Sequence, residues 1–228
     1  KNGQLVTGLY KQKTNDIIAC NECLIQNEES NAVIQRVKEL FVEYNIKPYD
    51  KVTHRGNIKH ILTKKGYHSE EFMLCFITYQ KTIKHIDQIV EILIQEFPHI
   101  KTIIQNINER HDNVILGDEE KILYGKGYIY DTLLDNQYKI SLKSFYQINP
   151  IQVEKLYQTA IDLAHINQDS VVLDAYCGIG TITLSLAKHV HKVYGVEVVP
   201  QAIEDAKNNA LLNKIDNAEF VCDDAGKY

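Results

Sequence analysis

The sequence predicts an α+β segment followed by an α/β segment with parallel strands. Three observations carry this reading. Two amphipathic helix patterns are interleaved with strand-like runs before residue 143. Strand and helix alternate strictly after residue 150. The charge also changes along the chain: residues 1–147 hold acids and bases in equal number, 19 of each, so the whole acidic excess of five falls on residues 148–228. An asymmetry of this kind marks segments with different jobs.

In the front segment, Ser30 is placed to cap a helix whose apolar stripe is Val33, Val37, Leu40, Phe41 and Tyr44. A second stripe runs through Ile86, Ile89, Val90, Leu93, Ile94 and Phe97. Both repeat at the spacing that brings one helix face to a core. Pro48 and Pro98 follow as stop signals. Strands are expected over Gln4–Tyr10, Ile58–Lys64, Glu71–Tyr79 and Thr102–Asn108, with Gly66 in the turn between the middle pair. The order strand, helix, strand, strand, helix, strand is that of a ferredoxin-like sheet. Shorter strands are expected in Asn113–Ile115, Lys121–Tyr130 and Tyr138–Leu142, punctuated by Gly117, Gly125 and Gly127.

The back segment opens on Asn149-Pro150, a helix N-cap followed by a first-turn proline. Val171–Ala175 reads as a short apolar strand, Tyr176–Gly180 as a tight glycine turn, and Thr181 as the start of a helix. A strand at Val193–Glu197, a helix over Gln201–Asn213 and a strand at Glu219–Cys222 complete the alternation. This is the first half of a Rossmann-like, doubly wound sheet. The expected division is 1–143, a central α+β domain, and 144–228, the opening half of the α/β domain.

Composition narrows the class. The chain is 44% hydrophobic and 24% charged, as globular domains are. No apolar run approaches the ~20 residues that span a bilayer, and Lys1–Tyr10 lacks the pattern of a secretory signal. Five cysteines without a dense framework point to a reducing, cytoplasmic setting. A monomer is expected.

The glycine turn Gly178-Ile179-Gly180 between strand and helix lets a ligand approach the backbone closely. Glu197 ends the next strand, where an ionised carboxylate can accept both hydroxyls of a ribose. A dinucleotide fingerprint wants a small residue where Thr183 stands. Asp174, ending the first strand, would repel a pyrophosphate and suits a cation. The pattern therefore favours S-adenosylmethionine, a sulfonium without phosphate, over NAD; an empty crevice is the bland alternative. Asp224, following the third strand, is the candidate partner of the adenine amino group, or else a solvated cap; Asp223 is its competitor.

Asp174–Gly180 followed by Gly195-Val196-Glu197 resembles the RNA uracil-C5 methyltransferases, which make 5-methyluridine in ribosomal or transfer RNA. Ser144–Pro150 is similar to the family's entry into its catalytic domain. Gln105–Asn108 and Asn113–Gly117 resemble the central domain of the bacterial large-subunit (23S) rRNA enzymes, and Gly56–His60 the family's basic strand. The resemblance implies that Gln147, Tyr176 and Glu197 contact the cofactor and favours ribosomal over transfer RNA as partner. It also implies a nucleophilic cysteine, a general base and a further cofactor-binding aspartate in motifs that do not occur among these residues. The 228-residue chain is therefore expected to be an inactive fragment. Cys177 is expected to pack under the turn rather than attack. Cys20 and Cys23 are too few for a metal site, although Cys23 is similar to the last ligand of a cluster held by some relatives.

From Lys51 to Ser69 the chain has no acid. Lys59, Lys64 and Lys65 are the candidate phosphate contacts of an RNA-facing strand; a solvated edge strand is the alternative. A non-catalytic RNA- or nucleoside-binding module, and a methyltransferase acting on small molecules or protein, are the other functional readings.

Overall fold

The run Phe72–Ile77 is uninterrupted and apolar, and with Thr78 all seven residues of the strand are buried. It is the spine of the first of two compact units. The computed structural model describes residues 5–14 and 16–227. Its elements begin with β1 (Gly8–Tyr10), β2 (Ile17–Ala19), α1 (Glu28–Glu43), β3 (Ile58–Lys65), β4 (Phe72–Thr78) and α2 (Ile86–Glu96). β5 (Ile100–Ile107), β6 (Glu119–Gly125), β7 (Tyr128–Leu133) and β8 (Asn136–Ser141) follow. The chain continues with α3 (Pro150–Leu163), β9 (Val171–Asp174), α4 (Thr181–Ala187), β10 (Lys192–Glu197), α5 (Pro200–Leu212) and β11 (Ala218–Cys222).

One unit comprises Lys1–Lys65 and Phe72–Gly127, the other Gly66–Glu71 and Tyr128–Tyr228. The boundary expected at residue 143 thus moves to 127/128, and the turn between β3 and β4 groups with the second unit. The physical reason is the hairpin β7–β8, whose contacts run to α5 and α4.

The first unit has a four-stranded sheet in the order β3-β4-β5-β6. β4 and β5 are parallel, and both outer pairs are antiparallel. Val33, Val37, Leu40 and Phe41 of α1 and Ile89, Val90 and Leu93 of α2 meet Phe72, Leu74, Phe76 and Ile103 in one core, as the apolar spacing predicts. The ferredoxin-like order is not what forms. The expected first strand reduces to β1, three exposed residues that among the described residues pair with β2 alone; Gln4 lies outside the described residues. β6 takes the fourth place in the sheet. The α1 cap is Asn27, whose Oδ1 accepts from Ser30 N at 2.8 Å, and Ser30 is buried against Thr63 of β3. The expected strand Lys121–Tyr130 is two strands, broken between Gly125 and Gly127. Asn113–Ile115 is not a strand but a loop, held where Asn108 Nδ2 donates to the Val114 and Ile115 carbonyls.

The second unit contains a parallel three-stranded sheet, β11-β10-β9, and the antiparallel hairpin β7–β8. Ile161 of α3, Leu186, Ala187, Val190 and Val193 form a buried cluster beside the sheet. Asn149 caps α3 through Gln152 N, with Pro150 as first residue. No helix among the described residues is long and apolar enough to cross a membrane.

Candidate functional site

The carboxyl ends of the three parallel strands carry the candidate site. In register, Asp174 lies beside Gly195, and Glu197 beside Cys222. The chain leaves β9 into the turn 175–180, where Gly178 and Gly180 both have positive φ, +53° and +85°. Gly180 is the N-cap of α4, and its N–H closes the turn onto the Cys177 carbonyl at 2.8 Å.

Glu197 bridges this turn to the next connection. One carboxylate oxygen accepts from Gly178 N at 3.3 Å, the other from Val199 N at 3.0 Å. Asp174 is fixed by Thr183, whose hydroxyl donates to it at 2.6 Å. Thr183 is fully buried, so the position that a dinucleotide fold leaves small is filled by a side chain that anchors a carboxylate. Burial pushes the Asp174 carboxyl above its ordinary range, and the nearby Glu197 adds to the rise. Two carboxyl groups therefore lie close together at the ends of adjacent strands, an arrangement that favours a cation nearby over a phosphate.

Tyr176 stands at the mouth of the turn, 80% exposed. Gln147 is half-buried in the segment between β8 and α3, and no hydrogen bond among the described residues joins it to the turn. Asp224 follows β11, exposed, and its carboxylate caps a short 3-10 turn by accepting from Gly226 N at 3.0 Å. That is the capping alternative, and Asp223 in turn accepts from Asp224 N. The sequence-derived residues Gly178, Gly180, Tyr176 and Glu197 are thus brought together; Gln147 and Asp224 are not joined to them by a bond. Cys177 packs beneath the turn as expected. Burial, Asp174 and Glu197 push its thiol up to about 12.

The lysines of β3 do not form a row of free cations. Lys59 is turned inward, and its Nζ donates to the carbonyls of Asn108 at 3.1 Å and Arg110 at 2.6 Å. Burial and then Lys51 hold its pKa below the ordinary lysine value. Lys65 pairs with Glu29 of α1 at 2.8 Å. Lys64 is half-buried on the same strand. Another group of cations lies outside β3. Lys11, Lys13 and Lys51 line one open recess with Tyr10, Gln12, Thr14 and Asn113, and the Lys51 ammonium lies 4.3 Å from the centre of the Tyr10 ring.

A parallel sheet with a glycine turn and two carboxyl groups at its strand ends is an α/β arrangement of the Rossmann-like kind. The particular family is set by comparison. The model of the tRNA (uracil-5-)-methyltransferase family matches residues 1–226, and the chain belongs to that family. A protein of Halalkalibacterium halodurans named as an uncharacterized RNA methyltransferase is 44% identical over 227 residues, which are 100% of this chain and 50% of that protein. One from Streptococcus pyogenes serotype M3 is 45% identical over 224 residues, 98% of this chain and 48% of that protein. The chain thus spans about half the length of the curated relatives it matches. Among solved structures, the Pyrococcus abyssi tRNA (uracil-54, C5)-methyltransferase in complex with S-adenosyl-L-homocysteine superposes with a TM-score of 0.79 at 26% identity, covering 93% of this chain and 51% of that one.

Proposed function

We propose that the chain is the RNA-contacting and cofactor-binding part of an S-adenosylmethionine-dependent methyltransferase that makes 5-methyluridine, with ribosomal RNA as substrate, and that these 228 residues alone do not turn over. The observation that carries the cofactor reading is Glu197 locked across the glycine turn with Asp174 beside it. Glu197 would take the ribose diol, Tyr176 would pack on the ligand, Gly178 and Gly180 would let it approach the backbone, and Gln147 and Asp224 would hold its two ends. The cofactor, when bound, supplies an electrophilic methyl group on sulfur. The thiol at the turn, Cys177, is buried and protonated at neutral pH, which supports the reading that the nucleophile is not among these residues.

Calorimetric titration with S-adenosyl-L-homocysteine, with NAD as comparison, tests this. Weak binding of the S-adenosyl ligand and none of NAD is expected. Glu197→Ala should weaken binding by about ten-fold or more, since two hydrogen bonds to a charged acceptor are lost. S-adenosylmethionine is a cation and favours ionised Asp174, so its affinity should fall as pH drops through the raised Asp174 pKa. Preference for NAD would sink the assignment.

For RNA, phosphate contact falls to Lys11, Lys13 and Lys51 rather than to Lys59, Lys64 and Lys65. Changing the first three to Gln should flatten the log–log salt dependence of rRNA-fragment binding by about two to three units. The corresponding change at Lys59 and Lys65 should leave it nearly as it was. A reversal of these two outcomes would return the interface to β3.

A further inference from the structure

Helix α5 and its C-cap carry Asp205, Asn209 and Asn213 at i, i+4 and i+8, one above another on the same face. Strand β8 offers its matching groups two residues apart. Asn213 accepts from Gln137 N at 2.8 Å and donates to Gln137 O at 2.7 Å. Asn209 accepts from Lys139 N at 2.8 Å. Asp205 accepts from the hydroxyls of Ser141 at 3.2 Å and Ser144 at 3.0 Å. Four helical residues rise ~6 Å and two strand residues ~6.7 Å, so the two repeats stay in step over three rungs. At Gln137 and Lys139 the edge of β8 is therefore satisfied by helix side chains instead of a neighbouring strand, while the Ser141 amide donates to Ser144 Oγ, itself held by Asp205.

The middle rung does more than hold the hairpin. Asn209 is completely buried, and its Nδ2 donates to the carbonyl of Ile179 at 3.2 Å. Ile179 is the residue between Gly178 and Gly180. One carboxamide thus satisfies a strand N–H with its oxygen and a turn carbonyl with its nitrogen. An ionised carboxylate cannot donate, and an apolar side chain does neither. The amides on either side are held separately, Gly178 N by Glu197 and Gly180 N by the Cys177 carbonyl, so Asn209 adds a tie at the carbonyl between them.

We infer that Asn209 is a positioning residue of the cofactor site: it fixes the Ile179 carbonyl, and with it the amides of Gly178 and Gly180, against β8. Asp205, one rung away, holds Ser144 at the start of the segment that leads to Gln147. A single helix face therefore bonds both to the glycine turn and to the start of the segment that leads to Gln147. This rests on the cofactor reading of that crevice.

The test separates the rungs. Asn209→Asp keeps the acceptor for Lys139 N and loses the donor to Ile179. Asn209→Ala loses both. Asn213→Ala removes a rung that does not touch the turn. Amide hydrogen exchange, backbone relaxation at residues 178–180 and S-adenosyl-L-homocysteine titration are measured on the 228-residue chain.

In Asn209→Asp, the Lys139 amide should stay protected, the turn should become mobile, and ligand affinity should fall roughly five- to ten-fold, the loss of one buried hydrogen bond. Asn213→Ala should expose the Gln137 amide and lower thermal stability while leaving turn mobility and affinity unchanged. The inference is overturned if Asn213→Ala loosens the turn as much as Asn209→Asp, or if neither Asn209 variant does so. Should the Asn209 variants fail to fold, slow exchange of the Asn209 side-chain amide in the unaltered chain supports the inference, and fast exchange rejects it. Should the unaltered chain bind no S-adenosyl ligand, the cofactor reading fails, while relaxation at 178–180 still decides whether Asn209 holds the turn.

Discussion

Gly195→Val is expected to leave the second unit unfolded or barely folded at 37 °C. Gly195 sits on β10, the central strand of the three-stranded sheet. A Cβ there would lie 2.8 Å from the Phe220 ring and 2.9 Å from Cys177 Sγ. Both neighbours are buried, with 6% and 4% of their surface exposed, so neither has space to retreat. One added carbon in a packed core typically costs ~1–3 kcal/mol, and valine brings two more. Against a whole-domain stability of about 5–15 kcal/mol, this removes a large share. Gly195→Ala is the graded version, with a loss of ~1–3 kcal/mol and a drop of roughly 4–8 °C in Tm per kcal/mol. Phe220→Leu combined with Gly195→Ala should recover part of that loss by making room, whereas independent sites would simply add. Full additivity in that double-mutant cycle, read by thermal melts, would mean that Phe220 is not what limits the position.

The second large effect belongs to Asp131, which no sequence pattern singles out. Its carboxylate is buried and accepts from three successive backbone amides, Tyr67 at 2.9 Å, His68 at 2.9 Å and Ser69 at 3.2 Å, and from the Tyr146 hydroxyl at 3.2 Å. The same turn is tied by Ser69 to the Tyr130 carbonyl and by Glu71 to Tyr130 N. Asp131→Ala leaves these donors without partners, for an expected loss of about 2–4 kcal/mol. Asp131→Asn retains one acceptor oxygen but turns an NH2 toward amide donors, so it should recover less than half. Urea denaturation measures both. An alanine variant within about 0.5 kcal/mol of the parent, the range of ordinary surface changes, would show that water replaces the carboxylate without cost.

What the sequence made legible was what depends on local spacing. The stripes of α1 and α2, the short apolar strands β9–β11 and the Gly178–Gly180 turn need only neighbours within a few residues, and all are present. Pairing was not legible. Gln4–Tyr10 has the composition of a strand, but nothing local says that only three residues pair, and with β2 rather than with the main sheet. Asn27 and Ser30 are both capping residue types, and the choice falls to Asn27 because Ser30 is drawn inward by Thr63. The acid-free window around Lys59 and Lys65 suggested free cations, yet Glu29 and the Asn108 and Arg110 carbonyls reach them from far along the chain. The boundary moved for the same reason, since the anchors of β8, Asn209 and Asn213, come about 70 residues after it. The polar period of four in α5 is visible in the sequence, but polar helix positions ordinarily face solvent, so it does not by itself mark Asn209 as buried.

The turn around Asp131 also sets a timetable for biosynthesis. Tyr67, His68 and Ser69 precede the carboxylate that gathers their amides by 64, 63 and 62 residues. At translation speeds of roughly 5–20 residues per second, this is a delay of about 3–12 s. During that interval β3 and β4 can pair and α2 can close over them, while the tip between them waits without its acceptor. The first sheet is therefore free to mature on the ribosome, whereas the hexapeptide Gly66–Glu71 is locked only when the nascent chain has passed Asp131. A ribosome pausing before that codon would hold the polypeptide with one half assembled and the loop still open to proteases.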